Sequence, residues 1–227
     1  MPYTKSVIII ILCFLSLSIK AQDGLNAIIG ESAISLNHNA SKEYSMNFAF
    51  RSRYFLYDNE RFQYQQQQVD IYHFSTFKLN FNHKLSFGIY YRNRDWFDTG
   101  SDELRFTEQF NYTKQKLGVR YGHRFRTEQR ILKNKTIFRQ RYRFAVDFPL
   151  NGEKLDIGEA YLVSATEGLL SLSKPDKPET DLRISTQIGW QITESLKLQT
   201  GLEHRLEAFN LVAKNNLFVL TSAIFKI

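Results

Sequence analysis

The tripeptide His73-Phe74-Ser75 sets an imidazole and a hydroxyl two positions apart, and residues two apart share one face of a strand. Such a pair has the parts of an activated nucleophile. The imidazole takes the hydroxyl proton, an acidic third group orients the imidazole, and the alkoxide attacks an acyl ester. Glu108 points to the same side by parity, but two strands away, roughly 10 Å off at ordinary strand spacing. The plainer reading is a histidine and a serine resting at an interface. A second chemistry is carried by residues 118–144, GVRYGHRFRTEQRILKNKTIFRQRYRF. Here Arg120, Arg124, Arg126, Arg130, Arg139, Arg141 and Arg143 alternate with Val119, Tyr121, Phe125, Phe138, Tyr142 and Phe144. Guanidinium groups make bidentate contacts to carboxylates and phosphates, so a row of them offers an anion-binding wall or an anion-selective pore. The same row also serves as long side chains that simply fill an interior. Near the C-terminus Glu203 and Arg205 belong to this set by parity.

Other chemistries find little support. His38, His83, His123 and His204 show no metal-ligand spacing, and there is no zinc pattern or Gly-rich phosphate loop, so no metal or cofactor is expected. The single cysteine, Cys13, lies inside an apolar stretch, residues 7–19, which follows Lys5 and precedes Ile19-Lys20-Ala21. That arrangement predicts an export signal over residues 1–21, cleaved before Gln22, and a mature chain, residues 22–227, without a thiol. The formal charge is +7, and removing Lys5 and Lys20 leaves +5. In an exported chain this mild excess does not imply nucleic acid.

The elements that must position these residues follow one period. From Ser45 onward apolar side chains recur at every second position, which is the strand period. Phe48 and Phe50 alternate with Asn47, Ala49 and Arg51; Leu85, Phe87, Ile89 and Tyr91 alternate with Ser86, Gly88 and Arg92; Leu104 and Phe106 alternate with Arg105 and Thr107. Tyr72 and Phe74 blur one pass by lying on the second face. Short connections are expected at residues 82–84, 113–116, 149–154 and 193–195, and longer polar ones at 58–68, 96–103, 133–135 and 165–180, which places the glutamine run 65–68 in a loop. Short turns on one rim and long loops on the other are the habit of membrane barrels. About ten strands are expected, ten to twelve in all: ten begin near Glu43, an eleventh segment lies between Leu25 and Leu36, and single-chain bacterial barrels have even strand numbers. Residues 24–37 are then extra-barrel, split in two, or matched by a missed strand within 167–172.

Volume decides which face is wet. About ten strands with four or five large apolar residues each would need roughly forty to fifty side chains inside, against about a dozen in the layers of an eight-stranded barrel. The apolar face, rich in the 19 phenylalanines and 12 tyrosines, is therefore expected to point outward to lipid and the arginines inward, the alternative being a soluble two-sheet sandwich that buries the apolar residues between its sheets. If residues 133–135 close a hairpin with Arg130 opposite Ile137, then Glu128 faces Arg139, Arg126 faces Arg141, Arg124 faces Arg143 and Arg120 faces Asp147. Paired arginines need carboxylates, water or an anionic ligand, and Glu159, Glu203 and Glu207 are the candidate partners.

The segments RSRYFLY, YRNRDWF, YGHRFRTEQRI and FRQRYRF, with the R-x-R-x-E-Q-R run from Arg124 to Arg130 the most distinctive, resemble an uncharacterised outer-membrane barrel family of Gram-negative bacteria, domain-of-unknown-function family 2490. The resemblance implies an outer-membrane barrel inserted by the barrel assembly machinery, and it supplies no catalytic residues. Ile227 departs from the aromatic terminus common in such proteins, with Phe225 two residues earlier on the same face. The expectation is thus a transmembrane antiparallel up-and-down β-barrel in outer-membrane lipid, passing or binding small anionic solutes. The alternatives are an acyl hydrolase built on His73 and Ser75, or an interaction protein working through its outward loops.

Overall fold

The computed structural model describes residues 24–174 and 176–227; the expected export signal and Cys13 lie outside them. Alternation produces one strand after another: β1 (Ala27–Asn39), β2 (Tyr44–Asp58), β3 (Arg61–Lys78), β4 (His83–Asn93), β5 (Glu103–Lys116), β6 (Val119–Leu132), β7 (Thr136–Pro149), β8 (Ala160–Leu172), β9 (Glu179–Gln191), β10 (Leu196–Glu207) and β11 (Lys214–Lys226). Each strand pairs with its sequence neighbours in antiparallel fashion, and β1 closes the barrel on β11. Closure leaves no unpaired sheet edge, which a structure in lipid requires of its backbone.

The count is eleven, within the expected ten to twelve, and the barrel is antiparallel everywhere except at its closure. With an odd number of strands the first and last run the same way, so they can meet only as a parallel pair; Ser32 sits opposite Thr221 and Ile34 opposite Ala223. Residues 24–37, uncertain from sequence, supply most of β1. Their alternation was hard to see because small or apolar residues, Ile29 and Ala33, occupy the inner face as well. Ile29 packs there with Ala27, Phe218, Leu220 and Phe55 in a small apolar cluster beside the closing seam.

Two expected loops are strands. Only residues 59–60 separate β2 from β3, so the glutamine run lies within β3, where two irregularities of pairing with β2 occur near Arg53 and Phe55. The Gln66 amide stitches this bulge by donating to the carbonyls of Arg53 and Gln68 at 2.9 and 2.8 Å. Residues 165–172 belong to β8, and the loop expected at 165–180 shrinks to 173–178. The anticipated contrast between rims fades accordingly. The rim at the C-terminal end of β11 carries residues 40–43, 79–82, 117–118, 150–159 and 192–195, and the opposite rim carries 59–60, 94–102, 133–135, 173–178 and 208–213.

The facing rule holds. Phe48, Phe87, Ile89, Phe125, Phe138 and Tyr142 are exposed on the outside. Towards the C-terminal rim the outward rings form a chain of contacts, with His83 4.9 Å from Tyr112, Tyr112 5.8 Å from His123 and His123 5.1 Å from Phe144. The parallel closure gives a direct check, because the hydroxyls of Ser32 and Thr221 lie 2.9 Å apart across the seam. Adjacent strands are about 4.8 Å apart, within the reach of a disulfide. The double variant Ser32→Cys/Thr221→Cys, in a Cys13→Ser background, should cross-link on oxidation of the folded protein, read as a gel shift reversed by reductant. A folded barrel that fails to cross-link would rule out this register of closure.

Candidate functional site: the arginine-lined lumen

Inward positions on eleven strands converge on the barrel axis, and eleven of the side chains that line the central space are arginines. The β6–β7 hairpin has the register expected from sequence: Arg120 opposite Asp147, Arg124 opposite Arg143, Arg126 opposite Arg141, Glu128 opposite Arg139 and Arg130 opposite Ile137. Carboxylates hold these facing arginines together. Glu128 accepts from Arg141 at 2.8 Å and Arg105 at 3.3 Å, and Arg126 approaches it at 3.5 Å. Glu167 accepts from Arg141 at 2.6 Å and Arg124 at 2.9 Å. Glu103 takes Nε and Nη2 of Arg130 at 2.7 and 2.9 Å and Nη2 of Arg105 at 2.7 Å. Asp70 takes Arg92 at 2.8 and 3.2 Å, together with the Tyr90 hydroxyl and the Gln68 amide. These links pass from strand to strand without a break from β3 to β8, because Arg92 also approaches Glu103 at 3.9 Å. Beside the seam, Glu31 is approached by Arg51, Arg53 and Arg205.

Aromatic faces take up part of the remaining positive charge. Arg105 lies 4.5 Å from the Tyr90 ring centroid, Arg126 5.2 Å from Phe74 and Arg205 3.5 Å from Phe218. Tyr72 and Phe74, the residues that blurred the alternation of β3, are therefore lumen residues, with Tyr72 stacked on Tyr90 at 5.4 Å.

The network encloses a cavity of about 460 Å³, lined by eleven arginines but only three glutamates, Glu31, Glu167 and Glu203. Three further acids, Asp70, Glu103 and Glu128, are buried in the wall behind it. A second cavity of about 520 Å³ shares Arg53, Arg92, Arg139, Arg183 and Arg205 with the first and reaches Lys135, Asp176 and Lys177 in the loops of the rim opposite the C-terminal end. The lumen thus continues to that mouth. At the mouth Asp102 clamps residues 94–102 by accepting from the Tyr91 hydroxyl at 2.6 Å and the Arg94 and Asp95 backbone N–H groups at 2.9 and 3.0 Å. Slight burial works against its charge, but these donors hold its carboxyl below the usual range.

Of the residues singled out by sequence, Arg124, Arg126, Arg139, Arg141, Arg143, Glu203 and Arg205 line the central cavity. Glu128 stands in the wall, and Arg120 sits at the rim, largely exposed and paired with Asp147 at 2.8 Å. Glu203 pairs with Arg205, whereas Glu159 and Glu207, expected as partners of the hairpin arginines, bond instead to the Asp156 backbone N–H and the Asn216 amide. The neutralising acids that sequence reasoning missed are Glu31, Asp70, Glu103 and Glu167. Parity marks Asp70 and Glu103, beside Ile71 and Leu104; Glu31 lies in the segment 24–37 that the alternation left open, and Glu167 in one expected to be loop.

The outward pair His73 and Ser75 does meet, with Nε2 3.0 Å from Oγ. Ser75 is also 2.9 Å from the Tyr44 hydroxyl, and the His73 ring lies 4.3 Å from Phe48. Glu108 instead accepts from Thr127 at 3.4 Å. The His73 Nδ1 is buried without a partner among the described residues. A base that accepts through Nε2 carries its proton on Nδ1, so this geometry favours the opposite tautomer, in which Nε2–H donates to Ser75. The contact works as a polar tie between neighbouring rings.

Removing one member of a buried charge network leaves its partners uncompensated. Glu128→Gln, which deprives Arg105, Arg126 and Arg141 of a shared carboxylate, should lower unfolding stability by about 3–5 kcal/mol in urea titration. Glu108→Gln, outside the network, should shift it by less than about 1 kcal/mol.

A search of curated proteins finds no match to the chain. The family described as protein of unknown function (DUF2490) matches residues 32–214, from the first strand to the start of the last, and therefore includes most of the lumen wall. The chain belongs to this DUF2490 family of proteins of unknown function.

Proposed function

We propose that the protein is an outer-membrane β-barrel whose lumen is a binding chamber for small anionic solutes, entered from the rim that carries residues 133–135, 173–178 and 208–213. The observation that carries this reading is the central cavity itself, lined by eleven arginines against three glutamates while large apolar side chains stand on the outside. Guanidinium groups stay charged under all physiological conditions, so the chamber keeps its sign, and low-dielectric walls focus the field within it. The outer face supports residence in lipid. Its exposed phenylalanines and its chain of tyrosine, histidine and phenylalanine contacts near one rim match an apolar band with an aromatic girdle. The partners on this reading are membrane lipid around the barrel and the barrel assembly machinery during insertion.

Two measurements test the two halves of the proposal. In liposomes, a membrane-impermeant maleimide should label Leu117→Cys, in the exposed turn before β6, and leave Phe125→Cys, mid-strand on the outer face, protected. Equal labelling of both sites would argue against membrane residence. For the lumen, calorimetric titration of the protein in detergent should detect binding of small anions such as acetate or phosphate and none of glucose or choline, with anion affinity reduced about tenfold or more by Arg126→Gln. Anions that bind no better than glucose would remove the chamber reading. Planar-bilayer recording then reads solute passage: an anion-biased current reports a lumen open at both rims.

A further inference from the structure

We infer that the lumen holds a phosphoryl dianion, the charged group of a small phosphorylated solute, between Arg143 and Arg183. This rests on the reading of the lumen as an anion chamber and narrows it to one place and one chemical class.

The argument begins with two neighbouring rows on the lumen wall. Across five consecutive strands, β6 to β10, direct register partners read Arg124, Arg143, Glu167, Arg183 and Arg205. One carboxylate stands among four guanidiniums. The adjacent inward row, two residues along each strand, reads Gly122, Ala145, Ala165 and Ser185 before reaching Glu203. Small side chains beneath long ones leave space, and Ala165 and Ser185 line the central cavity together with Arg143 and Arg183.

Charge then selects the occupant. Glu167 is engaged by Arg141 and Arg124, and Arg205 by Glu203, with Glu31 nearby. Two arginines of this region remain without a full partner. Arg183 comes only within 3.8 Å of Glu167, and its Nε is buried with no acceptor among the described residues. Arg143 lines the same cavity and is absent from every side-chain hydrogen bond and ion pair among the described residues, its register partners being Arg124 and Glu167. Arg143 and Arg183 stand on β7 and β9, two strand spacings or roughly 10 Å apart at the backbone. Side chains of that length converge on a single group from both sides. Two incompletely compensated positive charges match a phosphoryl group, which carries about −1.5 to −2 near neutral pH and offers three acceptor oxygens. A lone carboxylate would balance only one of them. Ser185, on the floor two residues from Arg183 along β9, supplies a hydroxyl donor.

The test is a calorimetric titration of the full chain folded in detergent micelles, with methyl phosphate and acetate as probes. Methyl phosphate should bind at one site, at least tenfold more tightly than acetate, and should weaken as the pH falls from about 8 to about 5, because the probe loses its second charge near pH 6 while the arginines keep theirs. Arg143→Gln and Arg183→Gln should each weaken it tenfold or more. Ala165→Leu, which fills the floor without altering any charge, should do the same, whereas Arg120→Gln at the rim should leave it unchanged. If acetate binds as well as methyl phosphate and both are lost in Arg143→Gln, the phosphoryl assignment falls and the anion chamber stands. If methyl phosphate binds but Arg143→Gln, Arg183→Gln and Ala165→Leu are all without effect, the location is wrong. If no anion binds, both readings fall together.

Discussion

Glu128 is fully buried, three arginines approach within 3.5 Å of its carboxylate, and much of the interior follows from that kind of sharing. An unpaired charge in a wall of low dielectric is costly, and so is an arginine facing another arginine across a hairpin. The barrel meets both costs by letting each of a few acids serve two or three guanidiniums from different strands. Because the donors of Glu128 come from β5, β6 and β7 and those of Glu167 from β6 and β7, the same bonds that neutralise charge also fix the angular relation of the strands. A shift of one residue in the register of β6 or β7 would turn their arginines outward among the phenylalanines and bring aromatic rings into the network. The ion pairs and the outer apolar face thus support a single register.

Sharing is uneven around the barrel, and the unevenness makes the chamber. Between β3 and β7 the acids are enclosed: Asp70, Glu103 and Glu128 are buried in the wall, with Tyr90 and Phe74 filling the space beneath neighbouring guanidiniums. Between β7 and β9 Glu167 stands among more positive charges than it can balance, and small residues lie below it. Beside the closing seam the interior changes again, to the apolar cluster of Ile29, Phe218 and Leu220. The lumen is therefore a lopsided space, tightly tied on one side and open on the other. Its opening towards one rim connects that space with the loops that bear Lys135 and Lys177.

The odd strand number has a structural consequence of its own. β1 and β11 must run parallel, and parallel ladders place their backbone bonds at a slant with slightly less stability per residue. Here the seam is reinforced on both faces. Outside, the Ser32 hydroxyl meets those of Thr221 and Tyr54, and inside, Phe218 packs against Ile29 beneath the Arg205 guanidinium. The junction joins residues 189 apart in the chain, so it forms only when the whole barrel is present.

What the amino-acid sequence determined by itself was parity. Strict alternation of aromatic and basic residues assigned an inner and an outer face to most strands, and a three-residue connection after Leu132 was enough to set all five facing pairs of the β6–β7 hairpin. Those are local properties, since the side-chain period is two and a short turn dictates its register. The outcome was harder to read wherever a face lacked contrast: β1 carries small and apolar residues on both sides, Gln65 to Gln68 have the composition of a loop but serve a bulged strand, and β8 runs on through a segment read as loop. Only the tertiary structure decided that eleven strands close through a parallel seam, that Asp70, Glu103 and Glu167 are among the acids between the arginines, and that Arg143 and Arg183 are left with charge to spare. The physical reason is that these are matters of which strands are neighbours around a closed ring, and a period of two along each strand carries no record of that order.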